Sequence, residues 1–386
     1  MVDETEVYLD ECPASPLGHI LALRSSVESG NELPCLSMDS INDVTIYLTH
    51  ACNLECRHCY LSAGRPLSNE LNADDWLLIL DKLRDLGVNY VYLLGGEPML
   101  LIRRGLLEII SHAKDLGLYV SMSTNGMLID RENALLLKSA GLDQVQVSLD
   151  GPNPAVNDVI RGFGSFDKAV RAVNVFREVG VAVSLSYTVI SDNAYYVVDM
   201  VRLTERLGVS VLSFIRVQEF GRARENGLTL DGGLARAAIN DLLRVKTGVK
   251  LVLNGFRFSL GDLYEAYRKS REGLNALRII NYSTCPAGGS RFAIDSDGGI
   301  YGCELLMSSE FHEGNALKDD LKIIWRDGFG SFRERNYAEI KPCNSCPMAD
   351  LCNAGCAARS FSTFGSVDSP DPYCPVVEGS IGKSKQ

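Results

Sequence analysis

The chain has 386 residues, 46% of them hydrophobic, and a formal net charge of −11. This length and apolar fraction provide a large core and favour two domains. The acidic balance and the lack of a basic run argue against nucleic acid as a partner. No apolar run reaches the ~18 residues of a membrane helix, and the first residues lack the features of a signal peptide. We therefore expect a cytoplasmic protein without a membrane partner.

A strand–helix alternation begins at Val44 and predicts an α/β fold. Short β-rich apolar runs indicate six parallel strands that are buried on both faces, and amphipathic helices follow them, the first capped by Asn72. Six β/α units predict a TIM-type barrel, complete or partial, with its chemistry at the C-terminal ends of the strands. The predicted strands are Val44–Thr49, Tyr90–Leu94, Tyr119–Thr124, Gln144–Leu149, Val183–Ile190 and Val209–Phe214. The predicted helices lie near 72–86, 104–115, 131–140, 165–178, 195–207 and 231–244.

The pattern changes near residue 280, where helical periodicity weakens and cysteines accumulate. We therefore expect a second, cysteine-rich domain after the barrel, with a bridge between the two and a disordered tail. The predicted divisions are 1–42 (N-terminal extension), 43–245 (barrel), 246–280 (bridge), 281–376 (cysteine-rich domain) and 377–386 (tail).

Three cysteines follow the first predicted strand as Cys52-x3-Cys56-x2-Cys59. Twelve cysteines in a cytosolic chain indicate metal or redox chemistry rather than disulfides. Three thiolates on a tight loop can hold three irons of a [4Fe–4S] cube and leave the fourth iron open to a ligand. The alternative is a zinc site completed by His50 or His58, which this spacing fits less well.

The triplet resembles the C-x3-C-x-aromatic-C signature of the radical S-adenosylmethionine (SAM) superfamily, with His58 at the aromatic position. The resemblance implies that the open iron chelates the methionine part of SAM, and that one electron then cleaves SAM to a 5′-deoxyadenosyl radical. The turn formed by Gly95, Gly96, Glu97 and Pro98 resembles the family's GGEP motif, which binds the amino group of SAM. Glycines allow close backbone approach, and a carboxylate accepts hydrogen bonds from an ammonium group.

Polar segments end the third and fourth predicted strands, with the sequences S-T-N-G and S-L-D-G. Both resemble family segments that line the ribose and carboxylate of SAM. Ser148 is the strongest candidate for a SAM contact, followed by Asp150 and Asn125. Turn residues that satisfy their local backbone are an equally good interpretation of each. Arg161 is a candidate partner of the SAM carboxylate, although an exposed arginine is the favoured interpretation.

The C-terminal cysteines match the seven-cysteine pattern of the SPASM domain, which implies two auxiliary [4Fe–4S] clusters and three clusters in total. The fold class is thus a partial (β/α)6 TIM-type barrel with a C-terminal SPASM domain. A pair of zinc ribbons is the alternative, but no histidine is suitably placed. By resemblance, the first auxiliary cluster uses Cys285, Cys303 and Cys356, and the second uses Cys343, Cys346, Cys352 and Cys374.

The first auxiliary cluster is one ligand short in this assignment. Cys35, Glu304, Asp295 and water are candidates for it, and carboxylates are harder ligands than such clusters usually take. We favour a position that is left open or weakly filled. The other spare cysteine, Cys12, is expected to be an idle thiol or a small buried apolar residue, as is Cys35 if it binds no iron.

The resemblance implies hydrogen abstraction from a substrate, with the auxiliary clusters as electron acceptors. Short C-terminal segments such as Asp371-Pro372-Tyr373-Cys374 look most like peptide maturases of the mycofactocin and pyrroloquinoline-quinone type. We therefore expect a ribosomally made peptide that is crosslinked or oxidatively decarboxylated, and a reductant such as flavodoxin or ferredoxin. Residues 1–42 are too few for a leader-binding domain, so we expect either a separate leader-binding protein or the barrel itself to recognise the leader.

Glu304 directly follows Cys303 and is a candidate catalytic base, with a surface or structural glutamate as the alternative. Two other functions stay open. One is side-chain modification of a tetrapyrrole such as haem, and the other is a non-catalytic iron–sulfur electron carrier. An electron carrier needs the cysteines but not the GGEP turn.

Overall fold

The computed structural model describes residues 41, 43–256, 277–278, 285–346 and 349–377. The predicted N-terminal extension, except residue 41, lies outside this described part, and so do Cys12, Cys35 and all but the first residue of the predicted tail. Eleven strands form one sheet. They are β1 (Asp43–Tyr47), β2 (Tyr90–Leu94), β3 (Tyr119–Thr124), β4 (Gln144–Ser148), β5 (Ala182–Val189), β6 (Val211–Arg216), β7 (Lys250–Asn254), β8 (Leu277–Arg278), β9 (Arg291–Ile294), β10 (Gly299–Tyr301) and β11 (His312–Asn315).

The sheet has the order β11-β10-β9-β1-β2-β3-β4-β5-β6-β7-β8. The six predicted strands are all present as β1 to β6, and each pairs in parallel with the next along the chain. Every residue of β1 is buried, as expected for a parallel strand covered on both faces. The α/β class and the partial barrel are therefore confirmed.

The sheet extends beyond the six predicted strands on both sides. The predicted bridge at 246–280 contains β7, which pairs in parallel with β6, and β8, which pairs in parallel with β7. From the cysteine-rich segment, β9 pairs in parallel with β1. The strand β7 spans five residues, the same length as β1, β2 and β4, and the sequence analysis did not identify it. The predicted domain divisions stay a prediction.

Helices connect the strands, and the first is capped as predicted. The helices of the described residues are α1 (Ala73–Asp85), α2 (Leu107–Asp115), α3 (Arg131–Ser139), α4 (Pro154–Arg161), α5 (Ser165–Val179), α6 (Val197–Arg206), α7 (Gly221–Glu225), α8 (Gly232–Arg244), α9 (Leu321–Asp327), α10 (Gly330–Arg333), α11 (Ala349–Cys352) and α12 (Ala357–Phe364). The sequence analysis did not identify α4 or α7. Both helices are short: α4 follows β4, and α7 follows β6.

The core lies between the helices and the sheet. On α1 the side chains Trp76, Ile79, Leu80 and Leu83 form one buried stripe at helical spacing. Burial of an aliphatic or aromatic side chain contributes roughly 1.5–3 kcal/mol each. Within the described ranges, no helix combines the length and the apolar character that crossing a lipid bilayer requires.

The capping box of α1 gives a direct test of the fold description. The Asn72 side chain accepts a hydrogen bond from the Asp75 amide at 3.2 Å, and the Asp75 carboxylate accepts one from the Asn72 amide at 3.1 Å. Asn72→Ala removes one of these bonds and should cost about 1 kcal/mol, which lowers the melting temperature by about 2–4 °C in a domain of this size. Asn72→Ser keeps a capping oxygen and should melt close to the unchanged protein. Melting is monitored by circular dichroism. Equal melting temperatures of the two variants would show that the cap does not stabilise α1.

Candidate active site

The first cysteine triplet lies on a loop that leaves the C-terminal end of β1. The loop has little regular secondary structure and is closed by backbone hydrogen bonds. The Cys52 amide donates to the Gly64 carbonyl at 3.0 Å, and the Gly64 amide donates to the His50 carbonyl at 2.9 Å. A tighter turn inside it joins the Cys59 amide to the Cys56 carbonyl at 3.2 Å.

The three thiols of this loop lie near one another. Burial, together with the neighbouring charges of Glu97, Cys56 and Cys59, raises the pKa of Cys52 to about 11. Burial also raises the pKa of Cys56, while the guanidinium of Arg161 opposes that rise. Thiols in such surroundings stay protonated until a bound metal displaces the proton.

Gly95 and Gly96 contact the cysteine loop itself. The Gly96 amide donates to the Thr49 carbonyl at 2.6 Å. A Cβ on Gly96 would stand 2.0 Å from the carbonyl oxygen of Ala51, and one on Gly95 would stand 2.4 Å from that of Thr49. Both separations are impossible for real atoms, so only glycine permits this approach. The two glycines thus serve the contact between two backbone segments.

Glu97 is 1% exposed and is held by internal donors. Its carboxylate accepts hydrogen bonds from the Thr124 hydroxyl and the Asn125 amide, both at 2.7 Å, and from the Met99 amide at 3.1 Å. Burial raises the pKa of Glu97, and these three donors lower it. The carboxylate therefore ties the turn after β2 to the end of β3. Its predicted contact with an ammonium group stays a prediction.

Asp150 is fully buried, and two basic side chains contact one of its oxygens. His58 Nε2 and Arg161 Nε each lie 2.5 Å from Asp150 Oδ2, and the Thr188 amide donates to Oδ1 at 2.6 Å. Burial alone would raise the pKa of Asp150, but Arg161, His58 and the Thr188 amide lower it to about 2. Asp150 thus joins the cysteine loop to α4 and β5. The interpretation of Arg161 as an exposed arginine is wrong, because it is only 8% exposed and also lies 4.0 Å from Cys56 Sγ.

The remaining predicted SAM contacts also lie at the C-terminal edge of the sheet. The Asn125 side chain donates to the Asn53 side chain at 2.8 Å and lies 3.9 Å from Cys52 Sγ. Ser148, the last residue of β4, stays partly exposed and contacts the Ser186 hydroxyl at 3.4 Å. Pro98 is buried and begins a short 3₁₀ turn. Their roles toward SAM stay predictions.

Arg222, on α7, is a site residue that the sequence analysis did not assign. Its amide donates to the Cys59 carbonyl at 2.9 Å, its Nε to the Cys56 carbonyl at 2.9 Å, and its terminal nitrogen to the Ala63 carbonyl at 2.7 Å. One arginine therefore binds three carbonyls of the cysteine loop.

The C-terminal cysteines form two groups. In the first, burial raises the pKa of Cys303, and Glu304, Cys285 and Cys356 raise it further. The mutual influence of Cys285 and Cys356 places them together as well. In the second, burial raises the pKa of Cys343 to about 11, and the other contributing thiols are Cys352, Cys374 and Cys346. The assignment of these cysteines to two auxiliary clusters stays a prediction.

Glu304 lies between the barrel interior and the first group of C-terminal cysteines. Burial is the largest cause that raises the pKa of Tyr47, Tyr60 and Tyr92, and the nearby carboxylate of Glu304 is a smaller cause. The Tyr47 and Tyr60 hydroxyls are 2.5 Å apart. Glu304 is partly exposed, and its role as a base stays a prediction, with a surface or structural glutamate as the alternative.

His50 and Asp295, two candidates for metal ligands, bind each other instead. His50 Nε2 lies 2.6 Å from Asp295 Oδ1, and Asp295 also accepts from the Ser296 amide at 2.7 Å. Neither Asp295 nor His50 is among the causes that raise the pKa of Cys285 or Cys303. This pair connects the loop after β1 to the turn after β9.

The donor chemistry fits iron–sulfur clusters. Such clusters take thiolate ligands, and the chain offers three sets of thiols. One set has three thiols, a second has three beside a carboxylate, and the third has four. Across residues 41, 43–256, 277–278, 285–346 and 349–377, no three His, Cys, Asp or Glu side chains gather closely enough to hold one metal ion. Ligands of a cube bind separate irons and therefore stand further apart than the ligands of one ion.

The fold and the site define a SAM-dependent radical enzyme with a C-terminal iron–sulfur region. Residues 46–204 match the radical SAM superfamily, and residues 285–347 match an iron–sulfur cluster-binding domain, SPASM. The chain belongs to the radical SAM superfamily, in the group that carries a SPASM domain. Iron–sulfur clusters and SAM are accordingly its cofactors.

Several characterised relatives resemble it over most of their length. A mycofactocin maturase of Mycobacterium tuberculosis is 33% identical, covering 86% of this chain and 82% of the relative. An AdoMet-dependent heme synthase of Nitratidesulfovibrio vulgaris is 28% identical, with coverages of 85% and 90%. A PqqA peptide cyclase of Rhodopseudomonas palustris is 28% identical, with 86% of each chain covered. The crystal structure of Streptococcus suis SuiB bound to S-adenosylmethionine shares the fold, with a TM-score of 0.68, 20% identity and coverages of 95% and 84%.

Two glycines next to the cysteine loop provide a matched test of the site. Gly96→Ala drives a Cβ into the Ala51 carbonyl, so we expect this variant to lose the iron held by the cysteine loop and to keep the iron held by the C-terminal cysteines. Gly64→Ala is the control, because Gly64 lies in the same loop and has no atom within 4 Å of its added Cβ. Iron content and electron paramagnetic resonance (EPR) spectra report the result. Full iron in Gly96→Ala would contradict the role of this contact.

Proposed function

We propose that the protein is an oxidative maturase of a ribosomally made peptide that works with three [4Fe–4S] clusters, one binding SAM and two auxiliary. The observation that carries the proposal is the 33% identity to a mycofactocin maturase across 86% of this chain. The name of the PqqA peptide cyclase identifies a second relative that acts on a peptide. The two sets of cysteines in the C-terminal region, one of three thiols and one of four, support two auxiliary clusters.

Under this proposal, Cys52, Cys56 and Cys59 hold the SAM cluster, and Asn125 and Ser148 line SAM. When bound, SAM and the clusters supply hydrogen-atom abstraction through a 5′-deoxyadenosyl radical and an acceptor for one substrate electron. The substrate carbon thus loses a hydrogen atom, then an electron and a proton.

Glu304 takes that proton. Three observations support this role. The carboxylate follows Cys303 directly, its charge is felt at the buried tyrosines of the barrel, and it is only partly exposed. A base in this position stands beside both the barrel interior and the first auxiliary ligand group. The proton and the electron can therefore leave the substrate toward the same side of the site.

Haem side-chain modification is the second candidate, because a heme synthase is 28% identical to the chain. The same hydrogen abstraction would serve it, and the substrate separates the two. A reductant of the flavodoxin or ferredoxin class and a separate leader-binding protein complete the proposed partners, and the cytoplasm is the proposed location.

Glu304→Gln tests the base. The carboxamide keeps the size of the side chain and cannot take a proton, so we expect SAM cleavage to continue and product to form about 10²-fold or more slowly, the range of a lost general base. Glu310→Gln is the control, because Glu310 lies in the same segment and is exposed.

The readout is the mass of short peptides encoded beside the gene, after anaerobic reaction with SAM and dithionite. The proposal predicts loss of two hydrogen atoms for a crosslink, with loss of carbon dioxide as well for oxidative decarboxylation. Unchanged turnover in Glu304→Gln would remove the base role. Conversion of a tetrapyrrole, with every peptide unchanged, would replace the peptide by the second candidate.

A further inference from the structure

Arg335 is a buried arginine that no assigned role explains. It follows α10 and is 6% exposed. A guanidinium has five N–H donors in a fixed fork, and each hydrogen bond of this one goes to a carbonyl or hydroxyl oxygen rather than to a carboxylate. The acceptors are the carbonyls of Val367 (2.7 Å), Asn353 (2.6 Å), Gly355 (2.8 Å), Ala354 (3.1 Å) and Ser369 (2.8 Å), and the hydroxyl of Ser360 (3.4 Å).

Three of these carbonyls come from consecutive residues in a left-handed backbone. The φ angles are +43° at Asn353, +56° at Ala354 and +79° at Gly355. Non-glycine residues rarely adopt such angles because Cβ then crowds the following carbonyl oxygen. This conformation turns all three carbonyl oxygens toward the guanidinium, and the hydrogen bonds that they accept from it stabilise the conformation.

The segment that Arg335 holds is the shortest covalent connection between the two groups. Cys352 belongs with Cys343 in the second group, and Cys356 belongs with Cys285 in the first. The length and shape of 353–355 therefore limit how far apart Cys352 and Cys356 can lie.

The charge of Arg335 also lies close to both groups. Its guanidinium binds the carbonyl of Asn353, which directly follows Cys352, and that of Gly355, which directly precedes Cys356. Burying a cation costs free energy unless negative charge lies close by. In the proposed clusters, the thiolates of these two cysteines would supply that negative charge.

We propose that Arg335 is a positioning residue shared by the two auxiliary clusters: its fork fixes the spacing between their ligand groups, and its charge raises the reduction potential of both. The inference rests on the proposed presence of two auxiliary clusters. A cation near a cluster stabilises the reduced form, which carries more negative charge, so its removal lowers the potential.

The experiment compares two substitutions at this position with one nearby control. Arg335→Gln removes the charge, and Arg335→Lys keeps the charge but not the fork. Arg333→Gln is the control, because Arg333 also binds backbone carbonyls, of Gly288, Arg326 and Gly328. Among the described residues, Glu313 is the charged neighbour that raises the pKa of Arg333, against the burial that lowers it.

All three are made in the full chain with Cys52, Cys56 and Cys59 changed to alanine, so that the remaining EPR signals come from the auxiliary clusters. Iron content and an EPR-monitored redox titration are measured. The background protein itself tests the proposed function. Iron content and EPR signals that account for fewer than two clusters would contradict the two auxiliary clusters before any variant of Arg335 is compared.

With two clusters in the background, we expect Arg335→Gln to shift both midpoint potentials downward, and Arg335→Lys and Arg333→Gln to leave them nearer their original values. Loss of both clusters in Arg335→Gln, with retention in Arg335→Lys and Arg333→Gln, supports the proposal equally. Unchanged potentials with full iron in Arg335→Gln would overturn it, as would a shift confined to one cluster. Equal iron loss in the glutamine and lysine variants of Arg335 would overturn the part played by charge.

Discussion

The close approach of two backbone segments is the constraint on which the active site depends. Residues 49–51 leave β1, and Gly95 and Gly96 leave the neighbouring β2. Both glycines would place a Cβ within 2.4 Å of a carbonyl oxygen. This approach fixes where the cysteine loop starts, because Cys52 directly follows the contacted residues. The loop itself has little secondary structure, so its shape has to come from such external contacts.

Buried charge completes that shape. Asp150 binds His58 from the cysteine loop and Arg161 from α4, and of these three residues Asp150 and Arg161 are buried. A buried carboxylate without these partners would be costly, so each end of the network requires the other. Arg222 adds three bonds to the opposite side of the loop. The C-terminal region repeats the device, with Arg335 on one side of the 353–355 segment and Asp371, bound to Arg359 and the Cys356 amide, on the other.

The sequence predicted the parts of the fold that have a strong local signal. The six strands β1 to β6 and the cap at Asn72 follow from hydrophobic period and capping chemistry, and each is local in the chain. The strand β7 was missed because five apolar-rich residues in a bridge carry no distinctive period. The cysteine groups were identified from spacing through resemblance, and the structure brings the same residues together.

Long-range contacts were the part that could not be predicted. Arg161 was interpreted as exposed because most arginines are, and only the structure places Asp150 against it. Arg335 gave no signal in the sequence, since its acceptors are backbone carbonyls, which every residue carries. His50 and Asp295 are separated by 245 positions, so the sequence around one residue gives no indication that it contacts the other.

The assignment of SAM-dependent radical chemistry to the loop after β1 is the central claim. The most direct test is anaerobic formation of 5′-deoxyadenosine from SAM with dithionite. It is measured with iron content for the unchanged protein and for the variant with Cys52, Cys56 and Cys59 all replaced by alanine. The account predicts cleavage by the unchanged protein, and no cleavage by the variant, which keeps the iron bound by its C-terminal cysteines. Normal cleavage of SAM by the variant would contradict it.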